Sequence, residues 1–116
     1  MKDIRIRIFE IVAGEAAVSS EDGENVYKRI SKALENGVNV ALDFNNIELI
    51  TSSFLNTAIG QLYHKYDSPF LRKRLRVANM EKEDMELLKR VVERAKEYFK
   101  DRKKMAGVIK AALKNG

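Results

Sequence analysis

Val38-Asn39-Val40-Ala41-Leu42-Asp43-Phe44, bounded by Gly37 and by Asn45-Asn46, constrains the fold of this chain more than any other stretch. A short apolar run between turn residues reads as an interior strand. Asn45-Asn46 turns the chain, Ile47 to Ile50 returns it, and Thr51-Ser52-Ser53 offers side-chain oxygens for a helix start. Phe54, Leu55, Ala58, Ile59, Leu62 and Tyr66 then recur at three- and four-residue steps, which is one apolar face of a helix. Asp67-Ser68-Pro69 breaks that helix, since proline lacks the donor and restricts the residue before it.

The flanks repeat the same alternation of elements. Ile4, Ile6 and Ile8 alternate with charged residues at the period of a strand, which Phe9 to Val12 prolongs before a turn at Gly14. Ala16-Ala17-Val18 is a second short strand on a weaker signal. Ser19-Ser20-Glu21-Asp22-Gly23-Glu24 carries the caps and acids of a helix start, followed by Val26, Ile30, Ala33 and Leu34 at helical spacing and a stop at Asn36-Gly37. Leu75-Arg76-Val77-Ala78 is a further strand, with Asn79 as the cap of the next helix. From Glu81 the pattern is helical, with a heptad-like seam of Met85, Leu88, Val92, Ala95 and Phe99 that Ala106, Ile109 and Leu113 continue.

Strand and helix in alternation predict an α/β fold: a small mixed or parallel sheet, helices packed on it, and a helical C-terminus. Right-handed crossovers put the two middle helices on one side of it. Residues 1–100 make the domain and residues 101–116 a helical extension of it. At 116 residues the chain buries a core without staples, and it has no cysteine to form a disulfide or a thiolate site. Charges interrupt every apolar pair in Ile4-Arg5-Ile6-Arg7-Ile8, so neither a signal peptide nor a membrane span is expected there, and a cytoplasmic location is.

The inventory of reactive residues is thin. The six glycines fit neither the dinucleotide fingerprint nor a P-loop. The single histidine, His64, sits inside a helix pattern between Tyr63 and Lys65, and a lone helical histidine is seldom a ligand or base. Glu81, Glu83, Asp84 and Glu86 suit the positive start of a helix better than a magnesium ion. Neither a catalytic residue, nor a metal ligand, nor a cofactor is therefore expected. An acid/base pair of Asp43 with His64 ranks last, because a turn explains an aspartate at a strand end.

Leu42-Asp43-Phe44 followed by Ile50-Thr51-Ser52-Ser53-Phe54 resembles the centre of a STAS domain, the fold of anti-sigma-factor antagonists. There a strand ending in Asp leads through a loop to an Asp-Ser-Ser-Gly helix start. The variant here is more similar still to the STAS-like family of unknown function, whose members occur alone or joined to histidine-kinase-type ATPase modules. The likeness covers residues 38–62, and Ser53 matches the serine that is phosphorylated in the antagonists. Two features depart from theirs: the acid before the serine pair and the glycine after it are replaced by Thr51 and Phe54, and the chain is wholly helical after Asn79.

What the resemblance implies is a non-enzymatic regulatory module that docks on a protein partner, a histidine-kinase-type ATPase among the candidates. Thr51, Ser52, Ser53, Phe54 and Asn56 are then the partner-binding residues, with Ser53 or Ser52 as the phosphorylation site. A helix N-terminus welcomes a phosphate, although capping alone also explains hydroxyl residues there. A second reading, a nucleic-acid-binding accessory protein, rests on charge. Residues 1–71 hold 7 Lys and Arg against 10 Asp and Glu, and residues 72–116 hold 15 against 7, with Arg72-Lys73-Arg74, Arg76 and Arg102-Lys103-Lys104 as the basic clusters. Nucleic acid is the less expected partner, because the charges between residues 81 and 101 interleave as on an ordinary solvated face. The heptad-like seam predicts a homodimer through the C-terminal helix.

Overall fold

The computed structural model describes residues 2–115, and the side chains of residues 2–100. Strand β1 (Asp3–Arg7) runs into a short helix α1 (Ile8–Val12), followed by β2 (Ala16–Ala17) and helix α2 (Ser20–Glu35). Then come β3 (Asn39–Asp43), β4 (Leu49–Ile50), helix α3 (Ser52–Leu55), a π-helical turn (Asn56–Gly60) and α4 (Leu62–Lys65). Helix α5 (Ser68–Arg74), β5 (Leu75–Ala78) and the long helix α6 (Lys82–Asn115) complete the chain. Among the described residues no helix is long and apolar enough to cross a membrane.

The sheet is parallel, with β3 between β1 and β5 and Ala41 opposite both Arg5 and Arg76. Alternation along the strands gives it two unlike faces. Ile6, Val40 and Leu42 lie in the core with Val26, Ile30, Phe54, Leu55, Ile59 and Leu62, so α2 and the helical run 52–65 cover the same face. The opposite face presents Arg5, Arg7 and Arg76, all exposed, around the buried Ala41 and Asp43. The parallel sheet with helices packed on it is the expected α/β architecture.

Several elements differ from their expectation, each for a definite reason. Phe9 to Val12 do not prolong β1: Ile8, Ile11 and Val12 share one side of α1 and pack on the core, and Ala13 closes that helix in the left-handed conformation at φ 56°. Residues 47–50 cannot pair with β3, whose two edges are already taken by β1 and β5. Leu49 and Ile50 make a separate two-stranded parallel ladder with β2. Asp67-Ser68-Pro69 ends one helix and also begins another, because Asp67 accepts a hydrogen bond from the Phe70 N–H (2.9 Å) and proline is tolerated in a first turn.

On α6 the buried positions are Leu88 and Val91, with Ala95 and Val92 half-buried, while Met85 is 46% exposed. This stripe packs on the chain's own helical run, where Gly60 comes up against Val91 and Ala95. The side chains of Ala106, Ile109 and Leu113, on which the dimer seam rests, lie outside the described residues.

Candidate functional site

Two helix starts meet beside the small β2–β4 ladder. Ser19 caps α2 by accepting from the Asp22 N–H at 3.0 Å, and Thr51 caps α3 by accepting from the Phe54 N–H at 3.2 Å. The Thr51 hydroxyl also donates to the Val18 carbonyl at 2.8 Å, tying one helix entrance to the other. The approach is close because Gly23 has no side chain. A Cβ there would lie 2.8 Å from the Phe54 carbonyl oxygen and 2.9 Å from Thr57 Cβ, nearer than packed atoms sit.

This approach brings Ser20 Oγ and Ser53 Oγ to 2.9 Å, a hydrogen bond between two exposed hydroxyls 33 residues apart in sequence. Capping is done by Thr51, so the hydroxyls of Ser52 and Ser53 are both exposed and free of that task. Asn56 is exposed on the same helix one turn further on. Phe54 is fully buried, so its side chain anchors the helix start in the core and is not part of the surface. Ser20 belongs to the site and sequence reading missed it. Glycine inside a helix start was the available signal, since it marks a close approach, but nothing in the chain says which helix approaches.

Asp43 closes the neighbouring end of the sheet. Its Oδ1 accepts from the Asn79 side-chain amide and from the Asn45 N–H, both at 2.9 Å, and its Oδ2 accepts from Arg5 at 3.0 Å. Asn79 stands three residues before the first residue of α6, Lys82, and not at its cap position. It takes the left-handed conformation (φ 59°) and joins the end of β5 to the end of β3. The Asn79 hydrogen bond, aided by those of Asn45 and Arg5, outweighs desolvation and holds the Asp43 carboxyl below its ordinary range. A lowered folded-state pKa contributes stability that is present above the unfolded value, near 3.8, and is lost as pH falls through the folded one. Asp43→Asn is thus expected to cost about 1–3 kcal/mol at neutral pH. It should also flatten the fall in stability below about pH 4. Urea titrations at several pH values check both effects.

The other candidates are not gathered. His64 lies on α4 with its ring 5.0 Å from that of Phe99, while the Asp43 oxygens are occupied by Arg5, Asn45 and Asn79, so no Asp43–His64 pair forms. Among the described residues no group of three or more His, Cys, Asp or Glu side chains is placed to hold a metal ion.

A family model described as a STAS-like domain of unknown function (DUF4325) matches residues 22–85. That span is more than half of the chain, and the chain belongs to this family. It takes in α2 from Asp22 onward, β3, β4, the helical run 52–65, α5 and β5, and with them the Thr51–Ser53 helix start and Asp43, while Ser20 lies just outside it. No curated protein and no solved structure gives a significant match.

Proposed function

We propose that this STAS-like domain is a non-enzymatic regulatory module that docks on a protein partner through the paired helix starts, by Ser20, Thr51, Ser52, Ser53 and Asn56, with Ser53 as its phosphorylation site and Ser52 as the alternative. The observation that carries the reading is the Ser20–Ser53 hydroxyl pair, 2.9 Å apart and exposed where two helix N-termini converge. A hydroxyl not engaged in capping is available to a kinase, and it stands where backbone N–H groups and two helix dipoles favour negative charge. Glu21 and Asp22, in the first turn of α2, set a like charge against the same spot. A phosphate on Ser53 would add negative charge to this already acidic surface without touching the core.

Leu49, two residues before Thr51, is 57% exposed and adds an apolar contact of the kind that a protein partner covers. The partner class comes from the resemblance: an ATPase of the histidine-kinase type. The experiment is a calorimetric titration of that ATPase, taken from the neighbouring gene or fused module, into wild type and into the Ser52→Asp and Ser53→Asp variants. Ser53→Asp should shift the affinity while the domain stays folded, because an acid in the first turn of a helix is tolerated or mildly favourable. Self-association through residues 101–116 is a separate proposal, resting only on the apolar spacing of Ala106, Ile109 and Leu113.

A further inference from the structure

The opposite end of the sheet carries an independent feature. The strands are parallel, so Asp3, Asn39 and Leu75 begin them at one end, while Asp43 and Ala78 finish them at the other. The helical run that starts at Ser52 returns the chain to that first end through α5, whose last turn is Arg72-Lys73-Arg74. A cleft of about 150 Å³ opens there, walled by residues 39–41 and Asp3 and by the four cations Arg72, Lys73, Arg74 and Arg76.

Two of the cations are held in place from behind. Arg74 donates to Asn39 Oδ1 at 3.3 Å and lies over the Phe70 ring, which itself stacks on Tyr66 with centroids 4.7 Å apart. Arg72 donates to Ser68 Oγ at 3.4 Å. Lys73 and Arg76 are exposed, and among the described residues no carboxylate pairs with either. Arg5, the nearest cation across Ala41, is instead satisfied by Asp43. Asp3 is the one acid lining the cleft, against four cations.

Like charges gathered around a concavity repel one another, and an anion relieves that repulsion. Guanidinium forks beside an ammonium suit the oxygens of a phosphate. We infer that this cleft binds a small phosphate-bearing anion, independently of the helix-start site at the other end of the sheet. The small ligand is favoured over a nucleic-acid strand by the cleft's size and by the first part of α6, residues 82–101, where basic and acidic residues interleave.

Inorganic pyrophosphate is the probe, followed by amide chemical shifts of the full chain at about 50 mM salt, where screening is moderate. Saturable shifts should centre on Asn39, Lys73, Arg74 and Arg76. Lys73→Gln with Arg76→Gln should weaken binding about tenfold or more, since each removes a charge-assisted contact. Lys89→Gln with Arg90→Gln, which removes two exposed cations of α6, should leave it unchanged. Absence of saturable shifts, or equal weakening by the two double variants, overturns the inference. So does tight binding of a single-stranded oligonucleotide with a steep salt dependence and no binding of pyrophosphate.

Discussion

Phe54→Ala is expected to destabilise the domain by about 3–5 kcal/mol. Phe54 is fully buried in the first turn of the helical run, in the same core as Phe44, Leu55 and Leu62. Its removal leaves a cavity at the point where that helix enters the fold. Packed side chains collapse only in part around such a gap, which adds a cavity cost to the lost transfer free energy. Phe54→Leu, which keeps most of the volume, should cost clearly less. Urea denaturation of the three proteins measures this directly. A loss below about 1 kcal/mol for the alanine variant would mean that the side chain is not core but part of a surface.

Gly23→Val is expected to cost about 2–3 kcal/mol, and Gly23→Ala less. The two substitutions separate backbone propensity from packing. Alanine in a helix is favoured over glycine by about 1 kcal/mol, so propensity alone would make Gly23→Ala stabilising. The contacts argue against that outcome, because the new Cβ would meet the Phe54 carbonyl oxygen at 2.8 Å and Thr57 Cβ at 2.9 Å. Backbone on one side and a β-carbon on the other cannot swing away, so α2 and α3 must separate. That separation would also part Ser20 from Ser53, and the valine variant should lose partner binding before it loses its fold. Denaturation midpoints for the three proteins decide the first point, and a Gly23→Ala variant more stable than wild type would contradict it.

Because strand and helix bury surface at different periods, the alternation of Val38–Phe44 with the apolar face of Phe54 to Tyr66 made a sheet with a helical cover legible from spacing, though not whether the sheet is mixed or parallel. Local rules also located the helix starts at Ser19–Glu24 and Thr51–Ser53 and the left-handed Gly37 (φ 73°). What spacing could not reveal depended on partners distant in the chain. Residues 47–50 read as a return to β3, and only the occupancy of both β3 edges sends them to β2. Asn79 has the chemistry of a cap, yet α6 begins three residues later and the Asn79 amide instead donates to Asp43 across the sheet. Val91 was absent from the heptad-like seam and is buried, while Met85 was included and is exposed, because the helical run beneath α6 selects the buried stripe.

The candidate site divides in the same way. Thr51, Ser52 and Ser53 were named from residue type and family likeness, and their division of labour, with Thr51 capping and the serines exposed, needed coordinates. Ser20 entered only through the close approach at Gly23. The basic residues Arg72 to Arg76 were visible as charge, but their assembly around one cleft depends on α5, a helix that Pro69 concealed by looking like a stop.

The central claim is that the paired helix starts form a docking surface switched by charge on a serine, and one calorimetric titration tests it most directly. An ATPase of the proposed histidine-kinase type is titrated into wild type, Ser53→Asp and Ser52→Asp, with circular dichroism to confirm that each is folded. We expect wild type to bind and one aspartate variant, Ser53→Asp first, to differ from it by about tenfold or more, as befits a charge introduced among hydrogen-bonding groups at an interface. Equal affinities for all three proteins, with neither serine accepting phosphate from the ATPase, would contradict the claim and leave Ser52 and Ser53 as ordinary residues of a helix's first turn.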